Sequence, residues 1–363
     1  MPRLRRFLPL PAALVALALA AGCAAGAHGT GTEGEPTPRL SDVTPLDDPK
    51  SWVGASSARA AASPVAPITD GEQTLPAALV DAQGTEVTVT DTSRILALDI
   101  YGSLSRAVFE LGFGDQVVGR DVSSAFPEIA DRPLVTQNGH DLNAEAILDL
   151  APTLILTDTS LGPWDTILQM RDAGVTVVVL DSQRSIDTLD SLVTGVADAL
   201  GVPERGAALS ARVTASVDET VARIAEIAPA DAADRLRMVF LYVRGQSGVY
   251  YLFGTDSGAD ALVTALGGVD VSSEIGWTGM RPITDEGIVA ANPDLILVMT
   301  GGLESVEGVE GLLDHLPALQ QTAAGQNKRI VDMADSQILS FGPDTARVLE
   351  ALAVAVYAPG DAG

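Results

Sequence analysis

An internal duplication constrains this chain more than any other feature. Residues 136–156 read TQNGHDLNAEAILDLAPTLIL, and residues 282–297 read PITDEGIVAANPDLIL. A constant shift of 141 residues lays one on the other: Leu142 on Ile283, Glu145 on Glu286, Ile147 on Ile288, Pro152 on Pro293, and Leu154-Ile155-Leu156 on Leu295-Ile296-Leu297. Each copy reads as the same local unit. Asn143 and Thr284 are N-cap types, whose side chains accept from the orphan N–H groups of a first helical turn. The acid two residues later falls where the helix macrodipole favours an anion. Capping electrostatics therefore accounts for Glu145 and Glu286 by itself. A proline then separates the helix from a short apolar strand. One helix–strand unit, built twice, calls for two similar lobes.

The surrounding pattern is α/β. Short β-branched runs at Arg94–Leu98, Gln116–Gly119, Thr153–Thr157 and Val175–Leu180 read as strands. Helical patterns at Gly102–Leu111, Ala144–Leu150 and Trp164–Ala173 alternate with them. A second series follows, with strands Arg237–Val243, Val249–Phe253, Asp294–Met299 and Arg329–Asp332, and helices Gly258–Leu266, Glu286–Ala291 and Thr345–Val356. Such alternation predicts mostly parallel sheets covered by helices on both faces. Between the series, Glu204–Ala228 has no proline and carries apolar residues at helical spacing. It predicts one helix roughly 35 Å long. The expected architecture is two three-layer α/β lobes, residues 87–203 and 229–363, joined by the helix 204–228, with a ligand cleft between them.

A chain of 363 residues, 47 % of them hydrophobic, can fill two such cores. Its 22 Lys and Arg face 48 Asp and Glu, a formal charge of −26 that repels phosphate backbones and excludes nucleic acid as a partner. At the N-terminus Arg3, Arg5 and Arg6 precede an apolar run, Leu8–Ala21, too short for a comfortable membrane span. The run ends in ALAAGC, and Cys23 is the sole cysteine. This resembles a bacterial lipoprotein signal, with Ala20 where that motif usually has leucine. The resemblance implies removal of the segment before Cys23, lipidation of Cys23, and an extracytoplasmic domain anchored to the outer face of the cell membrane. The other reading is an ordinary secretory signal. Residues 24–86 are rich in Ala, Gly, Ser, Thr, Pro and Asp without hydrophobic period, and predict a flexible tether.

Taken together, the signal, the tether, the paired lobes, the single long helix and the repeated acid–helix–Pro–LIL unit resemble the substrate-binding proteins of ABC importers for siderophores, cobalamin or haem. The resemblance covers roughly residues 87–357. It implies that Glu145 and Glu286, one on each lobe, dock into arginine pockets of a permease dimer that works with its ATPase.

The ligand must come from the cleft. His140 sits in a loop before the first repeat helix, and three histidines are few for this length. Tyr242 ends the first strand of the second lobe in FLYVRGQSG, and alternation puts Arg244 on its face. Strand ends are where open α/β sheets bind ligands. Ferric iron accepts phenolate oxygen and imidazole nitrogen, and a nearby guanidinium favours the phenolate. The trio is similar to the GH loop and Y-x-R segment of haem-binding lipoproteins from Gram-positive haem-uptake transporters. That similarity implies His140 and Tyr242 as axial ligands of ferric haem, with Arg244 hydrogen-bonding the phenolate. Tyr101, which follows the first strand of the first lobe, is a rival ligand. Arg281, the counterpart of His140 under the shift, is expected to pair a haem propionate, and Trp277 or Met280 to pack on the porphyrin. The alternative within the class is a ferric-siderophore or cobalamin receptor. No P-loop, GxSxG, HExxH or cysteine nucleophile marks the folded part as an enzyme.

Overall fold

Side-chain alternation along the two LIL strands organises the whole molecule, as seen in a computed structural model that describes residues 35–362. The signal segment 1–23, Cys23 and the start of the expected tether lie outside the described residues. Leu154 and Leu156 face one core while Ile155 faces another, and Leu295 and Leu297 part from Ile296 in the same way. The core shared by the leucines runs through both lobes and includes the long helix. Each isoleucine faces an outer core belonging to its own lobe. Period-two side-chain placement in a strand with both faces covered produces this partition.

In chain order, β1 is Ser56–Ala58, and β2 (Ala77–Val80) and β3 (Glu86–Val89) form an antiparallel hairpin. The N-terminal sheet has the order β4 (Ile95–Leu98), β7, β8. A small ribbon of β5 (Thr136–Gln137) and β6 (Asp141–Leu142) precedes β7 (Leu154–Thr157) and β8 (Thr176–Val179), and all three sheet strands are parallel. The expected strand Gln116–Gly119 is reduced to one parallel bridge, Val117 to Ile95.

The C-terminal lobe contains β9 (Arg237–Arg244), β10 (Val249–Phe253), β11 (Val269–Asp270), β12 (Met280–Pro282), β13 (Leu295–Met299) and β14 (Ile330–Met333). The sheet order is β1-β14-β13-β9-β10-β12, with β11 also beside β9. β1, β14, β13, β9 and β11 run parallel, β10 is antiparallel to β9, and β12 is antiparallel to β10. The hairpin β9–β10 arises because Gly248, at φ 62°, turns the chain straight back.

The connecting helix runs Pro203–Ile227. Proline at its first position has no N–H to lose. Its buried positions Leu209, Val213, Val217 and Ile224 recur at helical spacing and join the shared core. Among the described residues, no helix is long and apolar enough to cross a membrane.

The described part of the expected tether is built into the fold. β1 pairs in parallel with β14, Ser56 with Val331 through Ala58 with Met333. Leu46 N donates to Tyr357 O at 2.8 Å and Gly54 N to Asn327 O at 2.8 Å. The chain then crosses to the first lobe. Arg347 of the C-terminal lobe donates to Ala62 O at 3.1 Å, and Arg106 of the N-terminal lobe donates to Ser63 O at 2.9 Å. The segment lacks hydrophobic period because backbone hydrogen bonds, with a few buried side chains such as Leu40 and Ala58, hold it. Patterning cannot reveal an element held that way.

Candidate functional site

β9 carries two side chains of the site. Met238 and Phe240 point into the shared core; Tyr242 and Arg244 continue the same face beyond the core's edge, half-buried and exposed respectively. Arg244 Nε donates to the Tyr242 hydroxyl, and its guanidinium carbon lies 5.7 Å from the Tyr242 ring centroid. A guanidinium only donates, so the phenolic oxygen accepts, and its own proton is left for another acceptor or for displacement by a metal. The register sets Tyr251 opposite Tyr242 and Phe253 opposite Phe240. The Tyr242 ring is 6.1 Å from Phe253, nearly parallel, and 6.5 Å from Tyr251. Met299 follows on β13 one residue past Val298, which pairs with Leu241. Tyr242 thus stands in an aromatic lane, a surface suited to a flat apolar ligand.

His140 is set by a hairpin. Asn138 and Gly139 adopt φ 49° and 91°, Gln137 pairs with Asp141, and His140 closes the turn. Asn143 does two jobs: its Oδ1 caps Ala146 N at 3.1 Å and its Nδ2 donates to Gln137 Oε1 at 3.2 Å. The N-cap of the repeat helix therefore fixes the histidine loop. His140 Nδ1 is buried and has no hydrogen-bond partner. Burial, then the charge of Arg244, lower the pKa of His140 below its usual 6.5, against smaller opposing effects of Asp335 and Asp141. Arg244 and Asp335 belong to the C-terminal lobe. The structure therefore brings the histidine of one lobe into the electrostatic field of the tyrosine–arginine pair of the other. Both influences favour the neutral imidazole, the state in which it binds metals.

Tyr101 is placed differently. Its ring lies 5.2 Å from the guanidinium carbon of Arg184, which pairs with Asp158 at 2.8 Å and Asp99 at 3.4 Å. Burial raises the Tyr101 pKa and favours the neutral phenol. It lines an interlobe cavity of about 320 Å³ with Ser336, Gln337 and Ser340, and neither His140, Tyr242 nor Arg244 is on that wall.

The segment 277–282 divides its residues between two faces. Met280 pairs with Phe253, so it lies on the Tyr242 face, 55 % exposed. Arg281 pairs with Leu252, on the opposite face of the sheet. Trp277 packs against that outer core and donates to Leu252 O at 3.1 Å. Arg281 is therefore not brought to Tyr242, because an odd step along a strand reverses the face, and neither is Trp277, which packs on the outer core. Glu145 and Glu286 are exposed in the first turns of Ala144–Asp149 and Asp285–Ala291.

Sequence reasoning missed Tyr251, Phe253, Met299 and Asp335. The first two were within reach, since VYYLF alternates and its odd positions share a face with Tyr242 once the hairpin is assumed. It also missed a buried polar group under Tyr101. Asp99, Asp121 and Asp158 sit at or just beyond strand ends with Arg184, all buried. Burial and the charge of Asp99 push Asp121 up to about 7 and Asp158 up to about 6. Among the described residues, no group of three or more His, Cys, Asp or Glu is arranged to hold a metal ion.

Comparison with known proteins locates the chain. The profile described as periplasmic binding protein matches residues 100–336. A Bacillus subtilis (strain 168) protein, the uncharacterized ABC transporter substrate-binding lipoprotein YvrC, is 24 % identical over 289 residues, 78 % of this chain and 87 % of that protein. The crystal structure of the heme-binding protein HmuT is 41 % identical, covering 85 % of this chain and 99 % of that one, with a TM-score of 0.79. HmuT variants with a histidine, an arginine or a tyrosine replaced by alanine match with TM-scores of 0.79 to 0.81. The periplasmic heme-binding protein RhuT from Roseiflexus sp. RS-1, in apo form, is 34 % identical, covering 75 % of this chain and all of that one, with a TM-score of 0.66.

Proposed function

Because the chain belongs to the periplasmic binding protein family, whose members capture ligands for ABC importers, we propose that it captures ferric haem between its lobes and delivers it to a permease–ATPase complex. His140 and Tyr242 are the axial ligands, one from each lobe, and Arg244 holds the tyrosine oxygen. What supports this reading is that the charge of Arg244 acts on His140, whose buried Nδ1 has no hydrogen-bond partner, while Arg244 itself donates to Tyr242. In the HmuT variants the replaced tyrosine and arginine stand two residues apart, as Tyr242 and Arg244 do here, with the replaced histidine earlier in the chain.

Each group has a distinct task. Phenolate is a hard anionic donor that matches ferric iron and offsets its charge. Arg244 tunes how much electron density the oxygen gives the metal. His140 completes the coordination from the other lobe, so haem itself becomes a bridge that draws the lobes together. Phe253, Tyr251 and Met280 supply apolar surface for the porphyrin. The domain works outside the cytoplasm, held to the membrane by lipidated Cys23, and presents Glu145 and Glu286 to the permease.

The test is a hemin titration of the protein lacking residues 1–23, followed by absorption spectroscopy. A saturable Soret change at stoichiometric ratio, altered by Tyr242→Ala and separately by His140→Ala, is expected. No saturable change would move the ligand to a ferric siderophore or a corrinoid. Haem binding with unchanged spectra in both variants would place the iron elsewhere.

A further inference from the structure

Large apolar side chains left in water are normally scattered without pattern. Among the described residues nine are exposed: Val53, Val80, Val122, Leu134, Leu148, Leu168, Ile275, Met280 and Val289. Four of the nine form two pairs under the same 141-residue shift that relates the lobes, Leu134 with Ile275 and Leu148 with Val289. The shift is a structural equivalence as well as a textual one. Asn143 and Thr284 cap their helices through the same side-chain-to-N3 bond. Asn138 and Gly279 both take positive φ, as do Ala151 and Asn292. Ile147 and Ile288 are both buried.

Leu148 follows Glu145 by three residues and Val289 follows Glu286 by three. Residues so spaced are neighbours on a helix surface. Each lobe therefore shows the solvent an acid with an apolar side chain one turn along. The buried isoleucine next to Leu148 or Val289 faces the core, which leaves the pair pointing away from it. Leu148 is 46 % exposed and Val289 is 37 % exposed, in two helices that have only one and two buried residues. Nothing in either lobe's own packing calls for leucine or valine there. A solvated helix position is served as well by Lys or Gln, so apolar residues at both equivalent places point to one partner that sees both lobes alike.

We infer that Leu148 and Val289 are apolar anchors of the importer-docking face, each seated beside its lobe's glutamate. This rests on the proposed role as an importer receptor. The partner is the permease dimer, whose two equivalent subunits would each meet an acid with an apolar side chain beside it. The two kinds of contact act on different rates. Exposed charges steer encounter and are weakened by salt; desolvated apolar anchors govern how long the complex lasts.

The test uses the full-length receptor without its signal and the permease–ATPase complex of the same cell in lipid nanodiscs, with association and dissociation followed by biolayer interferometry at two salt concentrations. Leu148→Ser with Val289→Ser is expected to speed dissociation about tenfold or more while leaving the salt dependence of association unchanged. Glu145→Gln with Glu286→Gln is expected to slow association and flatten its salt dependence. Val53→Ser, which removes an exposed apolar residue lying outside the duplicated unit, is the control for general stickiness and should match the unmutated receptor. Hemin titration of every variant checks that the cleft is intact. A serine pair that dissociates at the unmutated rate, or a Val53→Ser effect of equal size, overturns the inference and leaves the receptor reading standing. An unmutated receptor that binds hemin but does not bind the nanodisc complex overturns both the docking reading and the inference built on it.

Discussion

Arg244 is the residue on which most of the site depends. It donates to Tyr242 and, from across the cleft, disfavours a proton on His140. Removing its charge should raise the His140 pKa, because the second-largest lowering influence disappears while burial remains. Histidine NMR titration of apo Arg244→Ala, compared with the unmutated protein, measures this directly; an unmoved or lower value would mean the two groups do not sense each other. The sign for stability follows from the same shift. A histidine lowered below 6.5 adds stability above that pH and loses it as pH falls through its folded value. Arg184 poses the opposite problem. Its side chain is 3 % exposed and the carboxylates of Asp99 and Asp158 are fully buried. Arg184→Ala should destabilise the protein by about 3–5 kcal/mol, since it strands buried acids without a counter-charge. Urea unfolding at neutral pH would read the loss, and a change under 1 kcal/mol would show that the acids are held by protons and hydrogen bonds alone. Legibility at this scale divides by cause. His140, Tyr242 and Arg244 stood out as candidates because their chemistry is rare and because Tyr242 and Arg244 fall at the end of a strand. The faces of Arg281 and Trp277 were not visible, because nothing in GWTGMRP fixes which residue first joins the ladder.

Among the elements, the repeat helices and LIL strands were readable because caps, apolar spacing and the proline agree at each position. β1 was not. Three residues of serine and alanine carry no pattern, and their partners on β14 are 275 residues away. Yet β1 covers an edge of the main sheet and anchors the crossing segment. Ser56 Oγ donates to Ala355 O at 2.8 Å, and buried Arg329 donates to Val356 O at 2.5 Å in the same region. A protein that begins at residue 63 should lose the strand, uncover the β14 edge and melt about 5 °C lower or more. Thermal scans with hemin absent would show this. An unchanged midpoint would make the segment a passive wrapping.

At the scale of the whole molecule, the duplication matters more than either lobe. Glu145 and Glu286 are the two ends of a single docking face only if both are read by one partner. Glu145→Arg combined with Glu286→Arg should abolish uptake in cells while hemin titration of the purified protein stays normal; uptake at the unmutated level would remove the docking role. The acidic charge of the chain fits the same picture, since it favours approach to basic pockets and disfavours anionic competitors.

The crossing segment also changes what kind of motion the lobes can make. The chain passes between them twice, once at Ala62–Ser63 and once along Pro203–Ile227, and both passages border one cavity of about 490 Å³. A body attached at one point can swivel and twist; two passages of chain beside a core common to both lobes deny that freedom. Any widening of the cleft has to bend both passages at once, so neither can serve alone as the hinge.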